Sequence, residues 1–213
     1  MQRLRKRIRT SGELTRQGLN ALDIPFSEDQ VNRFLTYLEE LKKWNRAYNL
    51  TGLKTDRDII IKHFLDSLLF LKVFPSHVVS AADIGSGAGF PGIPVKIMCP
   101  TLKIFLVEPA RKKTIFLRHI CSRLALDNIE IIDERIEEVE RLKVDVAMTR
   151  ALYSVRDFIE KMKGHIHKGG VLILSKGPKL EEELRGLEMR DIEVSDYTLP
   201  FDETVRHLAV VRT

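Results

Sequence analysis

The chain has 213 residues, 44% of them apolar, with 35 Lys and Arg against 30 Asp and Glu, which excludes a disordered or fibrous protein and suits a core needing no staples. Its two cysteines, Cys99 and Cys121, have no paired ligand spacing, so a disulfide scaffold and a zinc site are excluded too. No apolar run approaches ~18 residues and no signal-type segment opens the chain, so a soluble, cytosolic protein with no membrane contact is expected.

Residues 1–9 hold Arg3, Arg5, Lys6, Arg7 and Arg9 with no acid, and without these five the chain balances at 30 basic against 30 acidic residues. The positive excess is therefore a tail. Such an arm suits nucleic-acid phosphates, whose released counterions make affinity salt-dependent, although an Arg-rich transit peptide or a solvating tail has the same composition. From Ser11 to about Phe74 apolar residues recur at three- and four-residue steps, through Leu14, Leu19, Val31, Phe34, Leu38, Leu41, Ile60, Phe64 and Leu68. Three helices follow, the second with a capped start at Ser27, Asp29 and Gln30. Residues 1–74 thus read as a basic arm and helical cap ahead of one compact unit over 75–213. Between the second and third helices the chain reads Trp44-Asn45-Arg46-Ala47-Tyr48-Asn49-Leu50-Thr51, and the third helix carries His63-Phe64-Leu65-Asp66-Ser67. Taken alone, His63 is a helix histidine paired with Asp66, and Asn49 a loop-capping side chain.

Val78 to Met98 reads as strand, glycine-rich turn and helix start. Val78-Val79-Ser80-Ala81-Ala82 and Asp83-Ile84 lead into Gly85-Ser86-Gly87-Ala88-Gly89-Phe90-Pro91-Gly92-Ile93-Pro94. Glycine at alternate positions permits positive φ and close backbone approach; Pro91 or Pro94 suits a first helical turn, whose unpaired N–H groups can hold a polar or anionic group. A dinucleotide fingerprint from Gly85 needs glycine where Phe90 stands, and a phosphate loop from Gly87 meets Ile93-Pro94 instead of Lys and Ser/Thr. What remains, acid-x-Gly-x-Gly-x-Gly, is similar to motif I of S-adenosylmethionine-dependent methyltransferases, with a plain tight turn as the alternative. The next strand, Lys103 to Val107, ends in Glu108, 23 positions after Gly85, where a carboxylate can grip a ribose diol.

Helix and strand continue to alternate. A helix over 111–124 has a basic exterior from Arg111, Lys112, Lys113, Arg118 and Arg123; a strand over 129–132 precedes the helix-start residues Glu134 to Glu138; a strand over 144–148 follows. After it stands Thr149-Arg150-Ala151, neither the Asn/Asp-Pro-Pro-aromatic motif of amine methylation nor the Pro-Cys of cytosine-C5 chemistry. No covalent enzyme intermediate is indicated. A helix over about 154–167, a strand over 171–175, a charged helix over 181–190 and a final hairpin of strands over 192–198 and 207–212 complete the chain. Lys176 either contacts RNA or simply closes its strand.

Asn45 to Thr51, His63-x-x-Asp66-Ser67, the loop ending Gly-Phe-Pro-Gly-Ile-Pro and Thr149-Arg150-Ala151 together resemble the bacterial RsmG (GidB) family, from about Leu35 to Lys176. The resemblance implies an α/β, Rossmann-like class I methyltransferase with a mostly parallel seven-stranded sheet and an N-terminal helical cap. It implies S-adenosylmethionine as cofactor, S-adenosylhomocysteine as product, and N7 of a guanine in 16S rRNA as acceptor, expected at guanine 527 of the 530 loop. The partner would be 16S rRNA or the small ribosomal subunit, the protein a monomer without metal. Gly85, Gly87, Gly89 and Phe90 would shape the pocket around the methionine portion, Glu108 take the ribose, Ile136 and Glu137 edge the adenine, and Arg150 bind the cofactor and bridge toward the acceptor. Asn45, Asn49, His63 and Asp66 fall on the acceptor side. Guanine N7 has an in-plane lone pair and no proton, so neither a general base nor a nucleophile is needed and catalysis rests on alignment. Other classes compatible with parts of the pattern are a small-molecule methyltransferase, a nicotinamide oxidoreductase and a noncatalytic RNA-binding module.

Overall fold

The apolar runs become strands of a single sheet: β1 (Ser80–Ile84), β2 (Lys103–Val107), β3 (Ile129–Ile132), β4 (Val144–Arg150), β5 (Ile166–Lys176), β6 (Ile192–Thr198) and β7 (Val205–Arg212). The structure, a computed structural model, describes residues 10–178, 180–185 and 192–213. The basic arm and part of the helix expected over 181–190 lie outside the described residues; of that helix, α8 spans Leu180–Leu184. Strand order is β3-β2-β1-β4-β5-β7-β6, with β7 antiparallel to β5 and β6 and all other neighbours parallel. The order reverses between β1 and β4, so a crevice opens at the carboxyl ends of those two strands.

Side chains alternate along each strand, and here both faces are apolar because both are covered. Ala81, Ile104, Leu106, Val146, Met148 and Ile173 meet one cluster; Ala82, Ile84, Phe105, Val107, Ala147 and Leu174 meet the other. The first face carries α1 (Ser11–Ala21), α2 (Glu28–Tyr48), α5 (Gly92–Met98) and α6 (Arg111–Arg123). The helices before β1 therefore share one continuous core with α5 and α6, in which Phe34, Tyr37, Phe64 and Phe70 lie beside Ile93 and Phe116. The opposite face packs against α7 (Val155–Met162) and α8. Among the described residues no helix is long and apolar enough to cross a membrane.

Caps appear where the sequence offers them. Ser27 and Gln30 form a reciprocal capping box on α2, and the Gln30 amide also donates to the Ile97 carbonyl at the end of α5. The third helix departs from expectation. It runs as α3 (Asp56–Ile59), a π-helical turn Ile60–Leu65, α4 (Asp66–Leu68) and a 3-10 turn Leu69–Val73. The Ser67 hydroxyl donates to the His63 carbonyl at 2.6 Å, satisfying backbone that the widened turn shifts. Residues 134–138 form a bend and a turn, the turn over 136–138, and not a helix start; Ile136 is buried in the core. Helix α7 stops early, ahead of Gly164 at φ +85, and β5 begins at Ile166.

Candidate active site

The glycine-rich turn is closed upon itself. The Gly85 and Ser86 amides both donate to the Val107 carbonyl (2.8 and 3.1 Å), Gly87 to Glu108 Oε2 (2.8 Å), Gly89 and Phe90 to the Ser86 carbonyl, and Gly92 to Asp83 Oδ2 (2.8 Å). Gly85, Gly87 and Gly89 all have positive φ, at +77, +61 and +99. The expected row of unpaired amides is thus corrected: these donors are satisfied within the protein, which removes the usual means of holding a pyrophosphate. Asp83 is fully buried, and its Oδ1 has no partner among the described residues. Burial pushes its carboxyl up to about 7, against the opposing Gly92 amide and the positive Arg150.

A cavity of about 350 Å³ opens beside the turn, lined by Gly85, Glu108, Ile136, Glu137, Leu152 and Tyr153 among others. Its volume suits a small organic ligand. Glu108 is 4% exposed; its Oε2 accepts from Gly87 and lies 3.5 Å from Lys113 Nζ, while Oε1 accepts from the Ala110 amide at 2.9 Å. Glu137 is exposed and hydrogen-bonded to Lys161, which holds its carboxyl below the ordinary value. The other residues assigned to the cofactor stand elsewhere. Gly87 reaches the cavity only through Glu108; a Cβ on Gly89 would press on Ile93 and the Tyr37 hydroxyl; Phe90 stacks on His63 with centroids 4.3 Å apart; and Arg150 lines a separate cavity.

A second cavity, about 490 Å³, lies across the end of β4 and brings together Thr51, His63, Asp66, Arg150, Lys176 and Arg206. Asp66 is 2% exposed and shared by two arginines, with Arg150 Nη1 at 3.3 Å and Arg206 Nε at 2.9 Å. Arg150 also donates to His63 Nδ1 (3.0 Å) and to the Lys62 carbonyl (3.2 Å), and its guanidinium lies 5.3 Å from the Phe90 ring centroid. Burial, aided by Arg150, pushes the His63 pKa down to about 3. Its Nδ1 is therefore the acceptor and its Nε2–H donates to the Thr51 hydroxyl at 2.6 Å. With both ring nitrogens engaged, His63 is a fixed neutral wall and not a proton carrier.

Between the two cavities the chain turns sharply. Ala151 has φ +58, and the side chain of Leu152 covers Gly85 so closely that a Cβ there would come within 2.2 Å of Leu152 Cδ2. Asn45 braces the wall of the second cavity: its amide donates to the Thr51 carbonyl and its carbonyl accepts from the Thr51 amide, each at 2.9 Å. Asn49 caps α2 in the left-handed conformation, with its side chain exposed. Lys176 is 9% exposed and paired with Glu183 at 2.7 Å, so it closes the strand end. Thr51, Arg206 and Tyr37 went unassigned in the sequence. Tyr37 donates to the Ala88 carbonyl inside the glycine turn and stacks on Phe64 and Phe90, yet in sequence it is one more apolar-face residue of a helix.

Residues 30–208 match the family described as GidB, rRNA small subunit methyltransferase G. The chain is 34% identical over 209 residues to the ribosomal RNA small subunit methyltransferase G of Acetivibrio thermocellus, covering 92% of this chain and 86% of that one. It is 37% identical over 197 residues to the protein of that name from Francisella philomiragia, covering 92% and 95%. In fold it is similar to a methyltransferase from Pyrococcus furiosus (TM-score 0.60, 19% identity, 85% of this chain and 98% of that one). A SAM-dependent methyltransferase from Aquifex aeolicus is also similar (TM-score 0.53, 17% identity, 73% and 93%). A family match across most of the length and relatives this similar over nearly their whole chains lead to one conclusion: the chain belongs to the RsmG (GidB) family of small-subunit rRNA methyltransferases.

Proposed function

We infer that this protein transfers the methyl group of S-adenosylmethionine to N7 of a guanine in 16S rRNA, with guanine 527 as the target. The observation that carries the reading is the pair of cavities flanking residues 150–152, one with a buried, partly committed carboxylate and the other with two arginines around Asp66. Glu108 fits a nucleoside: a carboxylate offers about four lone-pair directions, two are taken by the Gly87 and Ala110 amides, and the rest suit two ribose hydroxyls. Ile136 and Leu152 provide apolar surface for a purine face, and Glu137 and Tyr153 stand at the cavity edge.

S-adenosylmethionine, when bound, supplies a sulfonium methyl that is electrophilic without further activation. The chain's residues have only to hold and align. Arg150, fixed by Asp66, His63 and the Lys62 carbonyl, presents its guanidinium on the acceptor side, and the His63–Phe90 stack forms a flat, rigid wall. No proton moves, in keeping with a neutral His63 whose nitrogens are both occupied. Fixed alignment of this kind is worth up to roughly 7–11 kcal/mol in the most favourable intramolecular models.

In this reading residues 75–213 form the transferase unit with the preceding helices as its cap, and the protein works as a cytosolic monomer. Incubation with methyl-labelled S-adenosylmethionine and either deproteinised 16S rRNA or small subunits, followed by mapping of the modified nucleotide, tests the function. One labelled guanine at N7 is expected; label on neither substrate while the cofactor binds would overturn it.

A further inference from the structure

A third cavity, about 540 Å³, lies beside the acceptor cavity and shares with it Thr51, Gly52 and Leu53. Its remaining lining residues are Lys42, Asn45, Arg46, Asn49 and Lys54. Three are cations, two are amides, and none is an acid. Lys42 is paired with Asp56, but the exposed Arg46 and Lys54 make no ion pair among the described residues. Two uncompensated cations beside one concavity, with two amide side chains in the same lining, recognise a phosphodiester better than any neutral or cationic group.

Position adds a second argument. Asn45 lines this cavity and also clamps Thr51, whose hydroxyl meets His63, which in turn accepts from Arg150. An anion held here would thus sit against a wall rigidly coupled to the acceptor cavity. We propose that this cavity is a phosphate subsite for the RNA strand, taking the backbone next to the nucleotide that enters the acceptor cavity. The proposal rests on the rRNA reading above, and it gives a single-stranded or splayed nucleotide the backbone anchor such recognition needs.

The test is the double variant Arg46→Gln/Lys54→Gln, with Lys72→Gln, an exposed lysine lining a separate cavity, as control. Binding of deproteinised 16S rRNA is measured across salt concentrations, together with steady-state methylation and S-adenosylmethionine affinity. Two lost single-strand contacts should make the log–log salt dependence of RNA binding shallower by about 1.4, at ~0.7 per contact. The KM for rRNA should rise while kcat at saturating RNA and cofactor affinity stay at parent values, the latter also reporting an intact fold. Unchanged salt dependence and KM would overturn the subsite. So would a defect seen with assembled small subunits and not with naked rRNA, which would assign the cavity to a ribosomal protein. Failure of the rRNA reading is distinguishable: a parent protein that binds rRNA through Arg46 and Lys54 but transfers no methyl sinks the methylation and not the subsite.

Discussion

At Glu108 one side chain both fastens the turn and completes the cavity beside it, since the bonds from Gly87 and Ala110 fix its carboxylate at 4% exposure. Replacing it with Gln keeps one acceptor oxygen and loses the charge, so S-adenosylmethionine affinity should fall about 10- to 100-fold, the equivalent of one charge-assisted bond of ~1.5–3 kcal/mol. Calorimetric titration checks this, and unchanged affinity would remove Glu108 from the site. Asp83 and His63 make opposite contributions to stability against pH. The His63 pKa falls from 6.5 to about 3, so stability is present above 6.5 and is lost as pH drops toward 3. The Asp83 pKa rises from 3.8 to about 7, so stability is present below 3.8 and is lost as pH climbs through 7. Asp83→Asn removes only the second effect. Denaturation at a series of pH values should show the variant gaining on the parent by up to about 1.4 kcal/mol per pH unit between ~4 and ~7; parallel curves would show that Asp83 stays ionised.

Among the elements, α5 is seated with little tolerance. A Cβ on Gly92 would stand 2.4 Å from Leu106 Cδ2 and 2.8 Å from Asp83 Oδ2, so the Gly-Phe-Pro-Gly motif is a packing requirement of the helix start on β1 and β2. Gly92→Ala should destabilise the fold by roughly 1–3 kcal/mol and loosen the turn bonded to Asp83, as read from denaturant midpoints. Strands β2 and β3 and helix α6 were legible in the sequence, because each is a short apolar or amphipathic run set off by turn residues or charge. The π-turn was not. Its residues keep ordinary helical spacing, and the extra width lies in the backbone hydrogen bonding of Ile60–Leu65, which side-chain pattern does not report. Residues 134–138 also misled: Glu near a supposed helix N-terminus is a good local signal, yet the chain turns there with Ile136 buried.

Over the whole molecule, the second cavity gathers side chains from the loop after α2, the π-turn, α4, β4, β5 and β7. Glu108 could be found from spacing along the chain and Arg150 only through the family resemblance, whereas Arg206 could be found by neither, because its partner Asp66 is 140 residues away and nothing local marks an arginine near the start of an apolar strand. Arg206→Gln leaves Asp66 with Arg150 alone. It should cost about 1–3 kcal/mol of stability and raise the KM for rRNA, with S-adenosylmethionine affinity retained. A variant with parent kinetics on rRNA would reduce Arg206 to a structural tie.

Asp66, on the helix before β1, takes one of its two arginines from β7, about 140 residues further along the chain. While the polypeptide is still being translated, every element that bears Glu108 and Arg150 is made before Arg206 exists. The Asp66–Arg206 pair can therefore close only after β7 has been made, so this wall of the second cavity takes its final form later in synthesis than the turn that holds Glu108.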